Sequence, residues 1–242
     1  MPSSSNTPRS STSFPLPFTT VDLVIFSLRD QQLTVLLVKR PAGPDEPFPD
    51  QWALPGGYVD VDRDASLQAC AERKLLEKTG VVAPYLEQLG SWGGKQRDPR
   101  GWSATHVYFA LMASSELTLT KGANAAEADW WPVTQALASM PLAFDHSEIL
   151  AAAHGRLLSK VEYTSLPAYL LPEPFTLPQL QAVYEQVLGR ALDKSAFRTR
   201  MLSGGFLVED GTLPGHSKRP AMGYRLADPS RPTQFPRTFK PA

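Results

Sequence analysis

Cysteine is nearly missing from this chain: Cys70 is the one cysteine in 242 residues. That excludes an internal disulfide framework and suits a reducing compartment. Cys70 falls within an apolar helical pattern, where packing rather than thiol chemistry is its expected role. No apolar run is long enough to cross a membrane. No cluster of His, Cys and Asp at metal-ligand spacing accompanies His106, which reads as a strand residue. Net charge is absent too, with 24 Lys/Arg against 24 Asp/Glu, so the total suggests no partner. Residues 1–18 are rich in Ser, Thr and Pro and carry Arg9 as their single charge. Without an apolar central segment they read as a disordered tail rather than a signal peptide.

The neutral total hides an asymmetry. Residues 1–154 hold 12 Lys/Arg and 17 Asp/Glu, a net of −5, whereas residues 155–242 hold 12 and 7, a net of +5. An acidic first part joined to a basic second part is what a ligand domain fused to a nucleic-acid module would show. A hydrophobic content of 42% is ample for one large or two modest cores. The expected division is a first domain over 19–142, a linker helix and second domain over 143–230, and a tail over 231–242.

In the first domain, 21–28 (VDLVIFSL) and 33–40 (LTVLLVKR) are β-branched runs that predict a β-hairpin. Residues 41–49, with four prolines, form a loop before Trp52 and the Gly56-Gly57 turn. A helix follows, with Leu67, Cys70, Ala71, Leu75 and Leu76 at apolar helical spacing. Asp64 or Ser66 can cap its start, and Gly80 suits a left-handed exit. Strands are expected over 85–92, 105–112 and 130–133, the first two joined by the loop GGKQRDPRGWSA. In that loop Arg97 and Arg100 bracket a Pro turn before Trp102. Such a group can grip phosphates and stack on a base; it can equally be a polar hairpin tip with Trp102 packed back on the sheet.

The stretch from Leu54 to Val81 resembles the Nudix box, the loop–helix–loop with which Nudix hydrolases grip a metal and a pyrophosphate. Gly57, Arg73, Leu75, Glu77, Gly80 and Val81 carry the resemblance. The family's helix presents carboxylates at i, i+3 and i+4, which share one face and bind hard divalent cations. Here that face reads Lys74, Glu77, Lys78. Charges of +1, −1 and +1 are unsuited to holding the magnesium that hydrolysis by this route needs. Glu72 lies one residue along, about 100° around the helix, and is no substitute.

In the second half, Asp145 is the expected cap of a linker helix running to about Lys160, with Ile149, Leu150, Ala153 and Leu157 on one face. His146 reads as a polar helix-start residue or an interface contact. Thr176, Pro178 and Gln179 form a capping pattern for a helix that ends at Gly189, and Asp193 caps a second helix, KSAFRTRMLSG. Two short strands, 205–208 and 223–226, flank a basic tip. Helix, turn, helix and β-wing in that order is the winged-helix arrangement. In such a module the second helix enters the major groove. Lys194, Ser195, Arg198, Thr199 and Arg200 are its candidate DNA contacts, with Ala196, Phe197, Met201 and Leu202 including the core face. Lys218 and Arg219 on the wing are candidate phosphate contacts, with His216 and Ser217 nearby.

Taken together, LPGGYVDVDRD, LLEKTG, RDPRGW and the winged-helix pattern resemble the Nudix-related transcriptional regulators of NAD metabolism, over residues 19–227. The resemblance implies an α+β chain, a Nudix-type α/β/α sandwich followed by a C-terminal winged helix–turn–helix. It implies a cytoplasmic homodimeric repressor that binds a palindromic double-stranded DNA operator and senses ADP-ribose or a related nucleotide, with no resident cofactor. Arg40, Trp52, Gly56, Gly57, Arg73, Glu77, Lys78, Arg97 and Arg100 are the effector-site candidates carried over from it. The alternatives are a magnesium-dependent ADP-ribose or nucleotide pyrophosphatase with an accessory domain, and a plain protein-interaction module.

Overall fold

Alternation in the first strand decides the architecture. In β1 (Phe18–Arg29), Val24 and Phe26 face one core while Val21, Leu23 and Ile25 face another, all fully buried. A strand buried on both faces must lie inside a sheet covered on both sides. The computed structural model, which describes residues 16–82, 84–113, 127–214 and 220–239, has this form.

β1 pairs antiparallel with β2 (Gln32–Lys39) through a two-residue turn in which Asp30 and Gln31 take φ of 47° and 58°. β3 (Trp52–Ala53) extends the sheet beyond β2, and β4 (Gly56–Tyr58) pairs with β1. α1 (Leu67–Thr79) covers one face with Cys70, Ala71 and Leu75. Ser66, not Asp64, is its cap, accepting from Ala69 N–H at 3.1 Å, and Gly80 ends it at φ 72°. Leu76, expected on the apolar face, is exposed.

β5 (Tyr85–Asp98) and β6 (Gly101–Met112) are longer than expected: the predicted loop is itself strand, folded at a tight turn over Pro99 and Arg100. β6 runs parallel to β1, giving the order β3-β2-β1-β6-β5, and β7 (Glu127–Pro132) pairs with β2.

The other sheet face receives α2 (Val133–Ser139), which no sequence pattern announced, and α3 (His146–Val161). A 3-10 turn at Leu166–Leu170 leads to β8 (Phe175–Thr176) and α4 (Leu177–Leu188), whose start carries the expected Thr176/Gln179 capping box. α5 (Lys194–Ser203), capped by Asp193, precedes β9 (Leu207–Leu213) and β10 (Ala221–Leu226). With β8 these form a three-stranded sheet, β8-β10-β9. The winged helix is present as expected.

One core is continuous from sheet to winged helix: Phe26 and Phe109 belong to the same buried cluster as Leu157, Leu170, Leu180 and Phe197. The segment expected to be a tail joins it. Phe235 and Phe239 are buried, and Phe235 N–H bonds to Tyr163 O at 2.7 Å. Isolated aromatics in a Pro-rich segment lack the periodicity that marks a packed element, so only the tertiary contacts reveal their role.

Candidate functional site

A cleft of about 800 Å³ lies between α1, the 56–61 turn, the tip of the β5–β6 hairpin and the start of α3. Its walls are built from carboxylate–guanidinium pairs. Arg73 donates from Nε to Asp64 Oδ1 at 2.6 Å and from Nη2 to Asp64 Oδ2 at 2.7 Å. Such bidentate geometry is strong and directional. The guanidinium holds Asp64 well below the usual carboxylate range. Arg100 is bidentate to Asp98 at 2.8 and 3.0 Å, and Arg40 meets Glu46 at 2.7 Å.

Behind them sits a buried polar cluster. Arg97, its side chain 6% exposed, donates to Asp22 and to Asp145, each at 2.9 Å. His146 Nδ1 accepts Leu54 N–H at 2.9 Å, which leaves Nε2 as the side facing Asp22 at 3.5 Å. Burial alone would raise the Asp22 carboxyl, but His146 and Arg97 outweigh it and hold it low. Asp145, the expected side-chain cap of α3, makes no capping bond; its carboxylate is spent on Arg97. Phe144, just before it, has φ 56° and lies under both the Arg40 and Arg97 guanidiniums. A bulky residue held at positive φ marks a locally strained segment.

Burial and Asp64 push the Cys70 thiol up to about 11, so it is a packing residue rather than a nucleophile. On the α1 face, Glu77 is half-exposed and bound to Arg73 at 3.1 Å. Lys74 and Lys78 flank it, and neither makes an ion pair among the described residues. Burial pulls the Lys78 amine below its ordinary value.

Of the effector candidates, Arg40, Gly56, Gly57, Arg73, Glu77, Lys78, Arg97 and Arg100 line this one cleft. Trp52 does not. Its ring meets Trp131 edge-on at 5.4 Å, because its place in β3 turns it to the sheet face opposite the neighbouring Ala53, which lines the cleft. Lys74, read from the sequence as sharing a helix face with Glu77 and Lys78, also lines the cleft, as do Asp22, Phe144 and His146, which the sequence pattern did not place there. Asp22 had a signal: an ionised residue inside the run VDLVIF is either paired or a mistake.

The winged helix presents Lys194, Ser195, Arg198 and Thr199 on the exposed side of α5, with Phe197 and Met201 turned inward. Ala196 and Leu202, expected at the core face, are exposed. Arg200 is placed differently: its guanidinium lies 4.0 Å from the Phe239 ring centroid and 4.8 Å from that of Phe235, a stacked position. The wing candidates Lys218 and Arg219 lie outside the described residues.

Comparison with known proteins fits both halves. Residues 18–153 match the NUDIX domain, and residues 167–226 match the NrtR DNA-binding winged helix domain. The ADPR responsive transcriptional repressor NtrR of Acinetobacter baylyi is 45% identical over 227 residues, 94% of this chain and 89% of that protein. The crystal structure of Shewanella oneidensis NrtR complexed with a 27mer DNA superposes with a TM-score of 0.82 at 41% identity, over 92% of this chain and 99% of that one. The Nudix domain of the same protein, complexed with ADP ribose, matches at 44% identity and a TM-score of 0.54, over 63% of this chain and 94% of that one. ADP-ribose pyrophosphatase of Methanocaldococcus jannaschii is 32% identical over 117 residues, 48% of this chain and 63% of that enzyme. A paired Nudix cleft and a winged helix sharing one core, matched along nearly the whole chain, place this protein in the NrtR family.

Proposed function

We propose that this chain is an ADP-ribose-responsive transcriptional repressor of NAD-metabolism genes. Its winged helix binds a palindromic DNA operator as a homodimer, and its Nudix cleft takes ADP-ribose or a related nucleotide. The observation that carries the coupling is the placement of α3. Its first residues, Asp145 and His146, are held in the cleft wall by Arg97, Asp22 and Leu54. Further along, Lys160 and Arg156 bind Glu87 of β5, and Tyr163, just beyond the helix, carries the C-terminal segment that packs on α5.

A ligand that rearranges Arg97 or Phe144 therefore acts on the base of the DNA-binding module. For that to be regulation, the ligand must prefer one arrangement over the other. The relation to the pyrophosphatase supports a nucleotide in the cleft. The paired state of Asp64 and the two lysines beside Glu77 argue against hydrolysis, and we assign the cleft to sensing rather than turnover.

The test is fluorescence anisotropy of the purified protein on fragments of its own upstream region, at two salt concentrations, with and without ADP-ribose. Saturable, fragment-selective binding that weakens with salt and falls on adding ADP-ribose is expected. Absence of selective binding, together with magnesium-dependent loss of ADP-ribose, would overturn the proposal in favour of an enzyme.

A further inference from the structure

The segment from Thr233 to Phe239 lies beyond the 167–226 winged-helix match, yet it is tied down along its length. A chain end frays unless bonds and burial hold it. Here Ser165 N–H donates to Thr233 O at 2.9 Å, Thr233 N–H to Ser165 Oγ at 2.8 Å and Phe235 N–H to Tyr163 O at 2.7 Å. Residues 233–235 thus run antiparallel to the turn that follows α3. Tyr184 of α4 donates its hydroxyl to Thr164 O in the same turn, at 2.7 Å. From there two aromatics reach α5. Phe239 stacks on Phe197 with ring planes 14° apart, and meets Tyr184 edge-on at 5.3 Å. The Arg200 guanidinium lies over both Phe235 and Phe239. At the end of α5, a methyl built on Gly204 would sit 3.2 Å from the Phe235 ring, so the segment touches the helix in its middle and at its exit.

α5 needs such a hold. It is ten residues long, and of its own side chains Phe197 and Met201 are the buried ones. A helix this short owes its stability to tertiary packing rather than to its own hydrogen bonds. We propose that residues 233–239 are a strap that positions the DNA-reading helix. The strap clamps α5 to the end of α3 and so fixes the angle at which Lys194, Ser195, Arg198 and Thr199 meet the groove. This rests on the operator-binding reading above. Phe235 and Phe239 are positioning residues in it, acting through α5 rather than on DNA.

The experiment compares full-length wild type, Phe239→Ala and Phe239→Tyr well below their melting temperatures. Hydrogen–deuterium exchange is read on the DNA-free proteins, and fluorescence anisotropy on the upstream fragment at several salt concentrations. Phe239→Ala should exchange faster across α5 while α1 and β6 keep wild-type rates. It should bind the fragment about tenfold or more weakly, because affinity falls with the fraction of molecules whose helix holds the binding arrangement. The salt slope stays at the wild-type value, since no phosphate contact is removed. Phe239→Tyr, which keeps the ring, restores affinity. A side chain that only added stability would lower the melting temperature and leave the folded protein's affinity untouched. Wild-type affinity in folded Phe239→Ala, or unchanged exchange in α5, therefore overturns the strap. If melting curves show that Phe239→Ala does not fold, Phe239→Leu, which fills more of the site without a ring, carries both measurements. If the wild type binds no fragment selectively, the operator reading fails, and exchange in α5 alone decides whether the strap holds the helix.

Discussion

Replacing Arg97 by Met tests the buried cluster that joins the cleft to α3. In the native chain the Arg97 side chain is 6% exposed and bridges Asp22, 8% exposed, to Asp145, 21% exposed. Methionine fills much of the same volume but removes the cation, leaving the Asp22 carboxylate buried without its guanidinium. Losing one member of a buried ion pair costs about 3–5 kcal/mol, because the desolvation of the other is no longer offset. For a chain of this size each kcal/mol lowers the melting temperature by about 2–4 °C, so Arg97→Met should melt roughly 6–20 °C below wild type at neutral pH. The pH dependence adds a second signature. Native Asp22 titrates below its ordinary 3.8, so the stability it contributes is present above that pH and is lost as pH falls through the lower folded value. In the variant, burial is opposed by one fewer cation, protonation relieves the orphaned charge, and the deficit narrows on acidification. Pairing the change with Asp22→Asn should recover part of the loss. Thermal melts followed by circular dichroism at pH 7.5 and pH 5 provide the measurement. An Arg97→Met protein melting with wild type at both values would refute the argument that this cluster anchors the helix.

Three further outcomes follow from the same geometry. Asp64→Asn should flatten the acid limb of the stability profile: the Asp64–Arg73 pair adds stability above the ordinary 3.8 that is lost as pH falls through the depressed folded value, and an acid melt series measures it. Gly56→Ala places a methyl 2.0 Å from Asp22 Oδ1 and 2.6 Å from Val21 O, so overpacking against backbone should cost about 1–3 kcal/mol or more in a urea titration. Lys194→Ala and Arg198→Ala should each reduce the salt slope of operator binding by about one if they contact phosphates. Arg200→Ala should leave that slope unchanged and lower the melting temperature instead, since it stacks on Phe235 and Phe239.

Much of this protein was legible without coordinates, where the signal is local. Alternating β-branched residues announced the first hairpin, and Thr176 with Gln179, Gly189 and Asp193 marked the ends of the helices of the winged module. That Lys74, Glu77 and Lys78 share one face of α1 is visible in the letters alone, because helical spacing determines which residues share a face. Trp52 and Arg200 show the opposite case. Residue chemistry says what a side chain can do but not which way its element turns it: β3 turns Trp52 onto Trp131, and the C-terminal aromatics capture Arg200.

Local sequence dictates most of the helices and strands and the chemistry available on each, though not α2 or the strand character of the β5–β6 tip. Who pairs with whom is set by the packing. Asp22, Arg97, Asp145 and His146 come from β1, β5 and the start of α3, separated by up to 124 residues of chain, and no spacing rule connects them. Their meeting depends on the parallel packing of β1 beside β6 and on α3 starting at the cleft. Electrostatic pairing is settled by distance in space and not by order along the chain.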